Sequence, residues 1–397
     1  MITEYPYQMC LDYMAGDLNC HVQNIIHKVN SFDQKRKILL YSYEWMSVNN
    51  LLSIVESVTK NCPQCDIIWM FPESIYYNHI DNFDATGVNY YLIDIDMLIL
   101  YFELYIYKSS AINTSWNHSA NKFLFLTGKP DKTNRIRLLH KLDKHNLLHR
   151  SIWSFFMDKN LKNKCRPLLC ELSDAEYEEF ISNHQYTPDN IMPTFNSGES
   201  LCIDGFPFDA TYYKDTLFRL ISETQMFKQA IVTEKTWVTI INNHPFIMAG
   251  YPGILDYLKH AGFKTFEQYL PYPIYDQILD EEIRFEQVIG NVKYWLDSIH
   301  LHKQEINKDV EHNFQLMDTM IHNSYKKFME IYQQLDTKLE VFRILSFAIQ
   351  RSKWFNFYYN IKDPSWPDCY VEEHFKFLPK SIQNECIEVF GYQPKKC

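Results

Sequence analysis

The sequence Lys37-Ile-Leu-Leu-Tyr-Ser-Tyr43 is a short run rich in aliphatic and aromatic residues, which predicts a β-strand. Helical spacing of apolar residues follows from Val48 to Val58, and Asp66-Ile-Ile-Trp-Met-Phe71 then predicts a second strand. The segment from Tyr90 to Ile95 predicts a third. Strands that alternate with helices in this rhythm indicate a parallel sheet covered by helices.

The same rhythm starts again after a polar stretch from Ser109 to Asn121. A predicted strand, Lys122-Phe-Leu-Phe-Leu-Thr127, precedes a predicted helix from Asn134 to about His145. Later predicted elements are the strands Ser151 to Phe156, Leu217 to Ser222 and Pro245 to Ala249, a helix after Thr233, and a mostly helical section from Ile299 onward. We therefore predict two α/β domains, residues 1–118 and 119–298, and a helical segment, residues 299–397.

The composition restricts the classes of function that fit this chain. Apolar residues make up 46% of the 397 residues, as expected for globular domains. The 10 glycines are not clustered as in the phosphate-binding loops of dehydrogenases or kinases. A formal net charge of -10 argues against a general nucleic-acid binder. A local anion site still fits, because Lys129 to Arg150 carries seven Lys or Arg against two Asp.

The cysteines and the beginning of the chain predict a cytoplasmic protein. The ten cysteines are scattered, and Met1-Ile-Thr-Glu-Tyr5 is not the charged-then-apolar leader of a secreted chain. The most apolar stretch, Tyr90 to Tyr107, is interrupted by three acidic residues, so we expect no membrane span.

The sharpest local pattern is Ala230-Ile-Val-Thr-Glu-Lys235, which leads into the helix predicted after Thr233. The free amides of a first helical turn and the helix dipole favour an anion such as a diphosphate. Lys235 adds a positive charge, and Glu234 can accept two hydrogen bonds from a ribose diol. The alternative interpretation is a surface helix capped by Thr233.

In its context, this pattern resembles the donor-binding half of the α-1,3-fucosyltransferases. Phe218-Arg-Leu-Ile-Ser-Glu223 lies upstream and His244-Pro-Phe-Ile-Met-Ala-Gly250 lies downstream, as in that family. The strand at Lys122 and the helix at Asn134 are similar to the first strand and helix of the family's donor domain. The positions that match the family motif are Val232, Thr233, Glu234, Lys235, Pro245 and Gly250.

The resemblance implies a glycosyltransferase with two Rossmann-like domains of the GT-B type. It implies an inverting transfer of a sugar from a nucleotide-sugar donor to an acceptor hydroxyl, without a metal or other cofactor. Arg135, or Arg137 as the fallback, would hold the donor diphosphate together with Lys235. Thr233 and Glu234 would complete the donor site, with Glu234 on the ribose. Glu223 would face the sugar and stabilise an oxocarbenium-like centre.

An inverting transfer also needs a base that takes the proton of the acceptor hydroxyl. We expect a carboxylate of the first domain, with Glu44, directly after the strand at Lys37, as the first choice and Glu73 as the second. Either is alternatively an ordinary acid at a helix start. The expected acceptor is a glycan rather than a nucleic acid.

Two further hypotheses stay open at this point. Asp94-Ile-Asp96 matches the Asp-x-Asp pair that holds a divalent metal in another large class of glycosyltransferases, so a metal-dependent enzyme is one alternative. The other is a nucleotide- or sugar-binding protein without catalysis, because Glu223-Thr-Gln stands where the family has Glu-Asn-Ser and Ile231 stands where it has an aromatic residue. Cys62-Pro-Gln-Cys65 lacks the second cysteine pair of a zinc site.

Overall fold

The computed structural model describes residues 8–10, 18–30, 37–41, 48–63, 65–73, 80–101, 116–127, 135–154, 163, 165–184, 201–203, 206–208, 210–223 and 232–334. These residues form an α/β fold with two parallel sheets, and the chain divides into two compact units. The described part of the first unit comprises residues 8–101 and 320–334, and that of the second comprises residues 116–319. The predicted boundaries at 118 and 298 stay predictions.

The first unit contains a four-stranded sheet in which each neighbouring pair is parallel. Its strands lie side by side in the order of the chain. They are β1 (Gln8–Cys10), β2 (Lys37–Tyr41), β3 (Asp66–Phe71) and β4 (Asn89–Leu92), and the helices that follow them are α1 (Leu18–Asn30), α2 (Val48–Asn61), α3 (Ile80–Asp84) and α4 (Ile95–Tyr101).

Burial in this unit follows the predicted patterns. The α2 residues Leu51, Ile54, Val55 and Val58 form one buried stripe, as the helical spacing requires. The strand predicted at Asp66 is confirmed as β3, whose last four residues are all buried. The strand predicted from Tyr90 to Ile95 is wrong beyond Leu92, because β4 ends there and α4 begins at Ile95. The apolar residues there have helical rather than alternating spacing.

The second unit contains another four-stranded parallel sheet, in the order β10-β9-β5-β6. Its elements in chain order are β5 (Phe123–Leu126), α5 (Arg135–Lys144), β6 (Ser151–Ser154), α6 (Asp174–Asn183), the antiparallel pair β7 (Leu201–Ile203) and β8 (Phe206–Phe208), α7 (Ala210–Lys214), β9 (Arg219–Ser222), α8 (Glu234–Ile241), β10 (Phe246–Ala249), α9 (Ile254–His260) and α10 (Glu281–Ser298). The following helix α11 (Lys303–Gln334) continues into the residues of the first unit.

The two faces of this second sheet are covered by different helices. The ring of Phe218 stacks on Phe123 at 5.6 Å and contacts Trp295 of α10 at 5.2 Å. The next residue, Arg219, instead donates to Lys235 and Thr239 of α8. This alternation is the period of two of a strand, and it places α10 on one face and α8 on the other.

The helical section predicted from Ile299 is confirmed as far as the structure describes it. It consists of a 3₁₀ turn (Ile299–His302) followed by α11, and the remainder of the predicted segment lies outside the described residues. None of the helices in the described ranges combines the length and apolarity that crossing a membrane requires.

Candidate functional site

In the second sheet, the side on which successive strands are added changes at β5. From β5 the chain passes to β6 on one side, and β9 and β10 later occupy the other side of β5. Leu124 of β5 pairs in parallel with Arg219 of β9, so the carboxyl ends of these strands lie at the same edge. Open α/β sheets bind ligands outside the carboxyl ends of the strands at such a reversal.

The predicted donor residues follow these two strands. Arg135 is the first residue of the helix after β5, whereas Glu223, Thr233 and Lys235 come after β9. The topology therefore brings residues from distant parts of the chain to one edge of one sheet. Direct hydrogen bonds connect the three residues that follow β9.

The side chain of Glu223 is tied to the beginning of α8. The Glu223 amide extends the sheet by donating to the Ala249 carbonyl at 2.9 Å. Its carboxylate accepts hydrogen bonds from the Thr233 amide at 3.0 Å, the Thr233 hydroxyl at 2.6 Å and the Thr236 hydroxyl at 2.6 Å. Only 1% of Glu223 is exposed. A carboxylate in this place complements the dipole of α8 and satisfies an amide at the beginning of the helix.

Thr233 and Lys235 are connected to the same carboxylate. Thr233 occupies the N-cap position of α8 with extended backbone, but its hydroxyl turns to Glu223 and caps no amide of the helix. The Lys235 ammonium donates to that hydroxyl at 3.1 Å and is 5% exposed. The alternative of a surface helix capped by Thr233 is therefore wrong, because residues 235–241 are all buried. One hydroxyl relays between the Lys235 ammonium and the Glu223 carboxylate.

Arg219 is a second charged residue on the face of β9 that meets α8. It is four residues before Glu223, an even spacing that puts both on one face of an extended chain. Its guanidinium donates to the Lys235 carbonyl at 3.2 Å and to the Thr239 hydroxyl at 3.1 Å. Burial, assisted by the Arg219 charge, lowers the pKa of His244 to about 3, so His244 is neutral at neutral pH.

Three buried cations lie on β9, α5 and α8. The exposed fraction is 4% for Arg135, 3% for Arg219 and 5% for Lys235. Among the described residues of these three elements and those directly after β9, the buried carboxylate is Glu223. Buried cations next to a helix start favour an anion at this edge.

The end of β10 packs closely against Glu223. A Cβ atom on Gly250 would lie 3.4 Å from the Cβ of Glu223 and 2.9 Å from the Cδ1 atom of Ile254. The missing side chain at Gly250 therefore lets the first turn of α9 approach the end of β9. This close approach is a physical reason for glycine at the position that matches the family motif.

The two arginines of α5 have different surroundings. Arg135 begins the helix and is buried. The Arg137 guanidinium pairs with Glu281 and Glu282 of α10 and lies 5.9 Å from the centre of the Phe285 ring. Arg137 thus belongs to a contact between α5 and α10, and Arg135 is the arginine that the structure places at the start of α5.

The predicted bases differ in what the structure describes. Glu73 follows β3 in the first unit, and its carboxylate accepts a hydrogen bond from Lys327 of α11 at 3.1 Å. The same ammonium donates to the Leu92 carbonyl at the end of β4 at 3.3 Å. Glu44 lies outside the described residues, as does the side chain of Glu234, whose backbone begins α8.

The two residues of the alternative metal pair, Asp94 and Asp96, differ in their place in the fold. Asp94 lies between β4 and α4 and is 6% exposed, whereas Asp96 falls in the first turn of α4 with its side chain outside the described residues. Within the part of the chain that the structure describes, no group of three or more His, Cys, Asp or Glu is arranged to hold a metal ion.

Sequence reasoning missed three polar residues that shape this edge of the sheet. Arg219 was detectable as a charge inside an otherwise apolar strand, and Thr236 as a hydroxyl in the first turn of α8. Asp276 carried no such signal. Its carboxylate accepts a hydrogen bond from the Leu255 amide, 21 residues away, at 3.0 Å, and burial raises its pKa to about 7. Asp276 therefore serves the beginning of α9 as Glu223 serves the beginning of α8.

Comparisons of the chain with protein-family models, with curated proteins and with solved structures find no match. The features of the chain that bear on its function are therefore the strand order, the buried charges and the hydrogen bonds around α8.

Proposed function

We propose that this chain is a nucleotide-sugar glycosyltransferase that binds the donor diphosphate where α5 and α8 begin. The observation that carries this proposal is a buried lysine, Lys235, in the first turn of α8 at the reversal point of a parallel sheet. A diphosphate suits this place because helix-start amides, an ammonium and a guanidinium all donate to phosphate oxygens. The resemblance to the α-1,3-fucosyltransferases supplies the reaction class.

The proposal includes the finer architecture of two Rossmann-like domains, as in GT-B enzymes, followed by a helical segment. Its support is one parallel sheet with helical connections in each unit. In this arrangement the second unit is the donor-binding domain, because the buried cations and the reversal of strand order lie there.

In the proposed reaction an acceptor hydroxyl attacks the anomeric carbon as the bond to the diphosphate breaks. The bonding electrons leave with the diphosphate, and the acceptor proton passes to a base. Lys235 and Arg135 would stabilise the charge that grows on the leaving diphosphate, so no metal is required. Glu234 would bind the ribose, a glycan hydroxyl is the expected acceptor, and Glu44 and Glu73 stay the predicted bases.

Isothermal titration calorimetry with a panel of nucleoside diphosphates and nucleotide sugars tests this proposal. Lys235→Ala should weaken the binding of the preferred nucleoside diphosphate by about 1.5–3 kcal/mol, because one charge-assisted hydrogen-bond partner is lost. Lys214→Ala, at an exposed lysine at the end of α7, is the matched control and should bind as wild type does. Absence of binding by wild type, or equal affinity of the two variants, would refute the donor site.

Two measurements separate the proposal from its alternatives. Full transfer activity in EDTA would exclude the hypothesis of a metal-dependent enzyme that uses Asp94 and Asp96. Slow donor hydrolysis without an acceptor would exclude the hypothesis of a binding protein without catalysis, because such a protein should release no sugar.

A further inference from the structure

We infer that Glu223 is a positioning residue that holds the first turn of α8 in the shape that the anion site needs, in place of the sugar-facing role that the resemblance implies. Its effect on ligand rests on the proposed function, whereas its hold on α8 does not.

The first support is how completely the carboxylate is engaged. One oxygen of Glu223 accepts from the Thr233 amide and the Thr236 hydroxyl, and the other accepts from the Thr233 hydroxyl. An ionised carboxylate offers about four acceptor sites, so most of them are used within the protein. With 1% of the residue exposed, a sugar would have to displace these donors before Glu223 could contact it.

The second support is that β9 holds the same helical turn a second time. Arg219, the first residue of β9, donates to the Lys235 carbonyl at 3.2 Å. The first turn of α8 is therefore hydrogen-bonded both to Arg219 and to Glu223, which directly follows the strand. The Thr233 hydroxyl, fixed by Glu223, in turn accepts from the Lys235 ammonium. Glu223 therefore sets the position of the proposed phosphate-binding lysine through one intermediate residue.

The third support is the lack of room at the base of the Glu223 side chain. Its Cβ lies 3.4 Å from where a Gly250 side chain would begin, and its amide is bonded to the Ala249 carbonyl. The backbone of Glu223 is thus fixed by β10. Loss of the carboxylate would leave three donors of α8 without their acceptor rather than let the strand readjust.

Hydrogen–deuterium exchange of the full chain without ligand tests the hold on α8. In Glu223→Ala the amides of residues 233–241 should exchange about tenfold faster or more, as expected when a helix-start partner is lost. Glu223→Gln keeps one acceptor oxygen, so the exchange rate of these amides should lie between that of Glu223→Ala and that of wild type. Unchanged exchange in folded Glu223→Ala would overturn the inference.

A second pair of variants covers the case that Glu223→Ala does not fold. Thr236→Val removes one of the three donors at nearly constant volume, whereas Thr236→Ser keeps the hydroxyl. Exchange in residues 233–241 should be faster in Thr236→Val and near wild type in Thr236→Ser. Equal exchange in the two variants would contradict the positioning role.

Titration with the preferred nucleoside diphosphate then separates the two roles of Glu223. If Glu223 is a positioning residue, Glu223→Ala should bind the nucleoside diphosphate about tenfold more weakly, and Glu223→Gln should recover part of this affinity. A sugar-facing residue predicts unchanged affinity for the diphosphate and a loss of turnover alone, and that outcome would overturn the inference. If wild type binds no nucleoside diphosphate, the proposed function fails, while the exchange result still decides the hold on α8.

Discussion

Arg135 and Arg137 show how much a separation of two residues changes the surroundings of identical side chains. In a helix that advances about 100° per residue, they point about 200° apart. Arg135 is therefore buried at the beginning of α5, whereas Arg137 reaches two carboxylates of α10. The sequence contains both arginines in a basic stretch, but their spacing alone does not say which face meets α10.

Replacing each arginine by alanine should separate ligand binding from helix contact. Arg135→Ala should weaken the binding of the nucleoside diphosphate by about 1.5–3 kcal/mol. Arg137→Ala should leave this affinity unchanged and cost up to about 1 kcal/mol of stability, because its partners are partly exposed. Calorimetric titration and urea denaturation measure the two effects. A loss of affinity only in Arg137→Ala would move the site to the fallback residue.

At the scale of elements, the ends of β9 and β10 and the start of α9 fit together because one position has no side chain. Gly250 directly follows β10, and Ile254 begins α9 four residues later. The Ile254 Cδ1 atom would lie 2.9 Å from a Cβ at Gly250, which is too close for an unstrained contact. The packing of these elements is therefore sensitive to a single methyl group.

Gly250→Ala should destabilise the protein by about 1–3 kcal/mol through overpacking. Ile254→Val removes the Cδ1 atom and by itself should cost about 0.5–1.5 kcal/mol. The double variant should recover stability relative to Gly250→Ala, because the new methyl group fills the space that Cδ1 leaves. Urea denaturation of the four proteins gives the coupling energy. Purely additive losses would show that Ile254 is not what limits position 250.

At the scale of the whole molecule, buried carboxylates make stability depend on pH. Asp276 is 1% exposed and accepts from the Leu255 amide. Burial is the main cause that raises its pKa to about 7, with a smaller contribution from the nearby acids Glu267 and Asp256. The hydrogen bond from the Leu255 amide and the charge of Lys259 act in the opposite direction. Burial lowers the pKa of the neighbouring Arg284, and the charge of Asp276 offsets part of this effect.

The sign of this dependence follows from comparing the folded and unfolded states. The unfolded Asp276 titrates near 3.9, whereas the folded one titrates at about 7. The folded protein therefore binds the proton more tightly, and the stability contributed by Asp276 is fully present below about pH 4 and lost as the pH rises through about 7.

Asp276→Asn should remove this dependence while keeping an acceptor for the Leu255 amide. Stability of wild type minus that of the variant should fall between pH 4.5 and 7.5 by at most about 1.4 kcal/mol per pH unit. Asp297→Asn, at a side chain that is 73% exposed, serves as the control and should show little change over this range. Urea denaturation at a series of pH values measures both. A constant difference for Asp276→Asn would contradict the raised pKa.

The alternation of strands and helices was predictable from the sequence, because hydrophobic periodicity is a local property. The strands at Lys37, Asp66 and Lys122 and the helix after Thr233 were found in this way, and the error beyond Leu92 arose where an apolar run changes from strand to helix spacing. The Thr-Glu-Lys pattern likewise predicted a helix start with a lysine in its first turn.

Only the tertiary structure decided the order of β6, β5, β9 and β10, the burial of Lys235 and the partners of Glu223 and Arg137. No local pattern encodes on which side of β5 a later strand pairs, although that choice creates the reversal point. The Thr233 and Thr236 donors lie ten and thirteen residues from Glu223, and Glu281 lies 144 residues from Arg137. Such contacts form because folding removes water from whole surfaces at once, so a charged side chain takes the partner that the packed chain offers.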